Sequence, residues 1–156
     1  MMTDYTNLMK KLSALLEETK LDISILANSS ALLFEHLEEI NWVGFYIHQN
    51  NSLYLGPFQG KIACTEIPFT KGVCGACATT RQTLMVPNVH EFSGHIACDS
   101  ASNSEICIPI IIQNKLYAIL DIDSPKYNRF NQTDKRYLEE ITKIISEKIE
   151  NIQQIG

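Results

Sequence analysis

Cys98 stands beside Asp99 in the stretch GHIACDSASNSEICIPI, residues 94–110. The segment is too polar and its residues too small to form a core. A thiol there is accessible, and nearby NH groups or a cation would lower its pKa. Access and a low pKa are what a nucleophilic or redox cysteine needs, so the segment points to thiol chemistry at Cys98. Cys64, Cys74, Cys77 and Cys107 share the same middle third of the chain. Cys107 sits in an apolar strand pattern and reads as a small buried hydrophobe. Cys74 and Cys77 form a C-x2-C in GVCGAC, a spacing that suits zinc or a redox pair. Zinc would need two further ligands from Cys64, His90, His95 and Cys98, and no second C-x2-C or H-x3-H accompanies them.

Carboxylates add a second kind of chemistry. Side chains alternate across a strand, so LYAILDIDS places Leu116, Ala118, Leu120 and Ile122 on a core face and Tyr117, Ile119, Asp121 and Asp123 on the other. The two aspartates would lie about 7 Å apart and raise each other's pKa. In SEICIPIII, Glu105, Cys107 and Pro109 share one face. Pairing of these two strands as a hairpin would bring Glu105 to the end that carries Asp123. Three carboxylates beside the Cys98 loop would call for a cation, either a metal or an ammonium group; a solvated strand end is the plainer alternative. In NWVGFYI, Trp42, Gly44 and Tyr46 share a face. They form either ordinary sheet packing or an aromatic wall, with a shallow space over the glycine, for a small ligand with a methyl or cationic end.

These residues need a scaffold, and the patterning supplies one. Helical spacing of Met9, Leu12, Leu15 and Leu16, capped by Thr3 or Asp4, predicts a first helix. Asp22 to Leu37 predicts a second. Trp42 to Ile47 reads as a strand, Asn50-Asn51 as a turn, and Leu53 to Leu55 as a strand broken by Gly56-Pro57. Lys61 to Ile67 is a third strand candidate, Gly72 to Thr80 a short helix, and Leu84 to Val86 a short strand. Asn88 to Ser104 reads as a loop with one helical turn, long enough to be functional. Ile106 to Ile112 and Leu116 to Ile122 read as a hairpin through Gln113-Asn114-Lys115. Asn131 or Thr133 opens a last helix striped by Tyr137, Leu138, Ile141, Ile144, Ile145, Ile149 and Ile152. The order predicts an α+β fold, a mostly antiparallel sheet with N- and C-terminal helices packed on it.

The 156 residues suit one domain with its own core, and 45% hydrophobic with 20% charged residues is ordinary for a globular chain. A net charge of -5 without a Lys/Arg cluster argues against a nucleic-acid partner. With no long apolar run and no secretory leader pattern, we expect a cytoplasmic protein with no membrane partner. Cysteines in that compartment are expected to be reduced, catalytic or metal-binding.

The stretches NWVGFY, LGPFQGKIACTEIPFTKGVCG, GHIACDSASNSEICIPI and LDIDSP, between about Trp42 and Phe130, resemble the free methionine-R-sulfoxide reductases, a family of single GAF domains. The resemblance implies one GAF domain over residues 1–156 and reduction of free L-methionine (R)-sulfoxide to methionine. It implies Cys98 as the nucleophile, Cys64 as the thiol that resolves it, and Cys74 as a third, resolving or relay cysteine. It assigns Glu105, Asp121 and Asp123 to ligand binding and Trp42 and Tyr46 to the aromatic wall. Thioredoxin, fed by NADPH through thioredoxin reductase, would recycle the disulfide. No metal or bound organic cofactor is implied, and a homodimer is expected. Cys77 and Cys107 depart from the family pattern, which leaves Cys77 open as an alternative resolving thiol. Two other readings stand beside this one: a GAF sensor that binds a small molecule or reports redox state without turnover, and a zinc module built from Cys64, Cys74, Cys77 and Cys98.

Overall fold

The computed structural model describes residues 3–94 and 101–155. Helix α1 (Tyr5–Glu17) starts where the Asp4 side chain accepts from the Asn7 NH at 3.1 Å. It buries Tyr5, Leu8, Leu12 and Leu16. Leu15, placed in the predicted stripe, turns to solvent. Helix α2 (Asp22–His36) follows, then strands β1 (Trp42–Gln49), β2 (Ser52–Gly60) and β3 (Glu66–Pro68). Helix α3 (Gly72–Thr80) and β4 (Leu84–Val86) lead to a 3-10 turn at Val89–Glu91, then to β5 (Ser104–Ile112), β6 (Lys115–Ser124) and α4 (Gln132–Ile155). Asn131 and Asp134 open α4 by a reciprocal cap. Each side chain accepts from the other's backbone NH, at 2.9 and 3.0 Å.

The strands form one six-stranded antiparallel sheet in the order β3-β2-β1-β6-β5-β4. Both hairpin turns carry two residues with positive φ, Asn50-Asn51 at 53° and 60° and Gln113-Asn114 at 52° and 64°. That backbone twist matches paired strands. Helices α1, α2 and α4 bury one sheet face around Val43, Phe45, Ile106, Ile108, Ile110, Leu120 and Ile122. Helix α3 packs on the other face, where a second cluster forms around Trp42, Tyr46, Val73, Cys74, Cys77, Cys107 and Ile119.

Three expectations change. Gly56-Pro57 does not end β2: Gly44 pairs with Phe58 and Tyr46 with Leu55, so two β2 residues stand opposite the single Phe45. Such a bulge tolerates a proline, which has no NH to give, and the Ser30 hydroxyl of α2 donates to the Pro57 carbonyl at 3.1 Å. The strand expected over Lys61 to Ile67 shrinks to Glu66–Pro68. In the last hairpin, Ile110 pairs with Ala118 but Ile111 with Leu116. Tyr117 is therefore an extra residue. The slip moves Leu116 to the α3 side and turns Tyr117 toward the helices, where its hydroxyl donates to Asp22 at 3.2 Å.

Candidate active site

Strand register gathers the carboxylates. Glu105 pairs with Asp123, and Cys107 pairs with Asp121. On the other edge of β6, Trp42 pairs with Asp123, Gly44 with Asp121 and Tyr46 with Ile119. Residues directly opposite in an antiparallel ladder point to the same side. Three successive rungs therefore carry Trp42, Asp123 and Glu105, then Gly44, Asp121 and Cys107, then Tyr46, Ile119 and Pro109. This is the face that α3 covers.

The aromatic residues stack without a gap. Trp42 and Tyr46 lie 5.8 Å apart between ring centroids, and Phe58 stacks on Trp42 at 5.2 Å. The space over Gly44 is already filled: a Cβ there would come within 2.8 Å of the Trp42 ring and clash with the Phe58 Cβ. The glycine exists to let the indole lie flat. Trp42 Nε1 donates to the Lys61 carbonyl at 3.1 Å and the Tyr46 hydroxyl to the Cys64 carbonyl at 3.0 Å. Both rings thus hold the loop after β2, which carries Cys64.

Glu105, Asp121, Cys74 and Cys107 are all buried. Burial, then the nearby Asp121 and Asp123, pushes the Glu105 carboxyl well above the usual carboxylate range. Asp121 is raised by burial too, while hydrogen bonds from Glu105, Cys107 and Cys74 pull it back down. The pair thus shares a proton that sits mainly on Glu105, with Asp121 accepting. The Cys107 thiol donates to Glu105 Oε2 and Asp121 Oδ1, each at 3.4 Å. Cys74 lies 3.3 Å from it, sulfur to sulfur. The hydrogen bond from Cys107 pulls the Cys74 thiol down, but burial with Asp121 and Asp123 outweighs it and pushes Cys74 up to about 12. Burial raises Cys107 and Cys77 as well. At neutral pH all three are thiols, not thiolates.

Cys64 is disulfide-bonded, whereas Cys74, Cys77 and Cys107 are free. Cys98, the expected nucleophile, lies outside the described residues, as does His95. Both flanks of that segment are anchored beside the site. The Gly94 carbonyl accepts from the Gly72 NH at the start of α3 (2.8 Å), and the Asn103 NH donates to the Ser124 carbonyl at the end of β6 (2.8 Å).

The structure brings together Glu105, Asp121, Asp123, Trp42, Tyr46 and Cys74. Cys107, expected to be an inert core residue, is in contact with three of the site's groups. Its signal was present in the strand alternation that put it on the face of Glu105. Its apolar neighbours Ile106 and Ile108 belong to the opposite face. The four residues Cys74, Glu105, Cys107 and Asp121 offer ligand atoms within 4.8 Å of one another. Among the described residues Cys77 does not join them.

A family model for the GAF domain matches residues 30–150. The chain is 46% identical to the free methionine-R-sulfoxide reductase of Escherichia coli over 137 residues, 88% of this chain and 83% of that one. It is 46% identical to the Saccharomyces cerevisiae protein of the same name over 129 residues, 78% of this chain and 72% of that one. Among solved structures, the fRMsr of Staphylococcus aureus in complex with substrate superposes with a TM-score of 0.91 at 49% identity, covering 96% of this chain and 97% of that one.

Proposed function

Since the chain belongs to the GAF domain family and, within it, to the free methionine-R-sulfoxide reductases, we propose that it is an oxidoreductase that reduces free L-methionine (R)-sulfoxide to L-methionine on the α3-covered face of the sheet. The observation that carries the reading is the set of adjacent rungs that stack Glu105, Asp121 and Asp123 beside the Trp42–Tyr46 wall. Asp121 and Asp123 receive the ammonium group of the free amino acid. A peptide-bound residue has no such group and would leave these charges buried and unpaired. The stacked Trp42 and Tyr46 rings form the wall on the S-methyl side.

In this reading the Cys98 thiolate attacks the sulfoxide sulfur while Glu105, whose carboxyl is pushed well above the usual carboxylate range by burial and Asp121, protonates the oxygen. Methionine leaves, and Cys98 becomes a sulfenic acid. Cys64 condenses with it, releasing water and forming a disulfide. Two observations favour Cys64 over Cys74 as the resolving thiol: Cys64 is the cysteine engaged in a disulfide, and the buried Cys74 thiol is pushed up to about 12. Thioredoxin returns the disulfide to two thiols by exchange, with NADPH as the ultimate donor through thioredoxin reductase. A single GAF domain over residues 1–156, a homodimeric assembly and a cytoplasmic setting complete the proposal; no described helix is long and apolar enough to cross a membrane.

The test is thioredoxin-coupled NADPH oxidation with free methionine (R)-sulfoxide, beside the (S) epimer and a peptide-bound sulfoxide. Turnover with the free (R) form alone is expected, and none in Cys98→Ser. Equal turnover with the peptide-bound form would remove the ammonium site from the mechanism.

A further inference from the structure

The mechanism leaves two thiols of the site, Cys74 and Cys107, without a role. Cys107 is fully buried, lies between two carboxylates and touches Cys74. A buried aliphatic residue would fill the same strand position with no polar group to satisfy. What the two thiols add to the two carboxylates is soft ligand character. Zinc-class ions take thiolate sulfur at about 2.3 Å and carboxylate oxygen at about 2.0–2.2 Å in a tetrahedron, so neighbouring ligand atoms stand about 3.3–3.8 Å apart. Three of the separations here have that length before any ion enters: 3.3 Å from Cys74 Sγ to Cys107 Sγ, 3.4 Å from Cys107 Sγ to Glu105 Oε2 and 3.4 Å to Asp121 Oδ1; Cys74 Sγ stands slightly farther from Glu105 Oε2, at 3.9 Å. All four ligand atoms fall within 4.8 Å of one another. The donors come from α3, β5 and β6, whose mutual packing fixes them.

We propose that Cys74, Glu105, Cys107 and Asp121 form a tetrahedral site for a thiophilic divalent cation of the zinc class. Binding breaks two S–H bonds, displaces the proton shared by Glu105 and Asp121, and forms two metal–sulfur and two metal–oxygen bonds; the protons leave to solvent and no oxidation state changes. Asp121 also serves the substrate's ammonium in the reading above. If that reading holds, the bound cation excludes the amino acid and inhibits the reductase. This consequence rests on the proposed function, whereas the metal site does not.

The experiment uses the Cys64→Ser/Cys98→Ser double variant, which keeps only the thiols of Cys74, Cys77 and Cys107. Cadmium ion alone is titrated into it in weak buffer. The thiolate-to-metal absorption and the released protons are read together. One equivalent should saturate the band with at least two protons released. Adding Cys77→Ala should leave the titration unchanged. Adding Cys107→Ala should weaken binding by at least about a hundredfold, the upper end of what loss of an outer-shell partner costs. Glu105→Gln keeps both thiols and guards against a misfolded cysteine variant; it should weaken binding about tenfold or more. Absence of the band overturns the site. So does a band lost with Cys77→Ala and kept with Cys107→Ala, which would return the metal to the C-x2-C. Failure of the reductase reading shows separately, as absent turnover without any added metal.

Discussion

The two faces of the sheet use alternate residues of the same three strands to opposite ends. Toward α1, α2 and α4 the strands present Val43, Phe45, Ile106, Ile108, Ile110, Leu120 and Ile122. Toward α3 the residues between them are Trp42, Gly44, Tyr46, Glu105, Cys107, Asp121 and Asp123. The first face is held by removal of apolar surface from water, which is non-directional and tolerant of small shifts. The second is held by a shared proton, thiol hydrogen bonds and stacked rings, each of which depends on direction. The helix-covered face stabilises the backbone enough to keep carboxylates in positions they would otherwise avoid. A polar cluster of this kind therefore implies a good core on the other side of the same strands.

The contrast can be broken from either side. Glu105→Gln removes the proposed acid while conserving shape. It is expected to lower kcat/KM by about 10²–10⁴-fold, measured with free methionine (R)-sulfoxide; activity within a few-fold of the parent would transfer the acid role elsewhere. On the opposite face, Leu120→Ala is expected to cost about 2–5 kcal/mol in denaturant unfolding, while kcat/KM per folded molecule stays within about twofold. A large activity loss there would mean the faces are mechanically coupled. Gly44→Ala forces a methyl against Phe58 and the Trp42 ring. It should cost about 1–3 kcal/mol, with a change in tryptophan fluorescence because Trp42 is the sole reporter.

The smallest effect concerns pH. Glu105 has its folded pKa raised, so the native state binds that proton more tightly than the unfolded chain. The stabilisation it brings is complete below the ordinary carboxylate range and is lost as pH rises through the raised value. Asp121 acts with the same sign. Glu105→Gln should thus flatten the fall of Tm with rising pH above the ordinary carboxylate range and raise Tm at the alkaline end. An unchanged slope would mean that Glu105 is ionised in the native protein.

Where local chemistry decides the structure, the sequence was legible. Helix α3 and strand β4 fall on the expected residues, because Gly72 and the αL residue Arg81 bracket the helix. Alternation put Glu105 near the Asp123 end, but the exact pairing of the two depends on the slip at Ile110, because the two-residue turn alone would set Glu105 opposite Ile122. What could not be read depended on partners distant in the chain. The bulge that keeps Pro57 inside β2 is supported by Ser30 on another element. The slip at Ile110 exchanges the faces of Leu116 and Tyr117, and a fixed period of two contains no sign of it. Cys107 was placed on the right face but misjudged, since an apolar sequence neighbourhood describes the residues pointing away from it. The shortening of the third strand leaves Cys64 in irregular chain, held by hydrogen bonds from two rings.

That last placement divides the site by how its amides would exchange with heavy water. Asp121 and Cys107 lie on interior strands, each paired on both edges. Their NH groups are expected to exchange only through global opening, at the slow limit set by the whole fold. Cys64 lies between Gly60 and Glu66, outside any strand. Its amides are expected to exchange through local fluctuations, faster once the disulfide is reduced. The acids and the thiol would then report on different cooperative units: one keeps the substrate's charges aligned, and the other can rearrange at each turnover without loosening them.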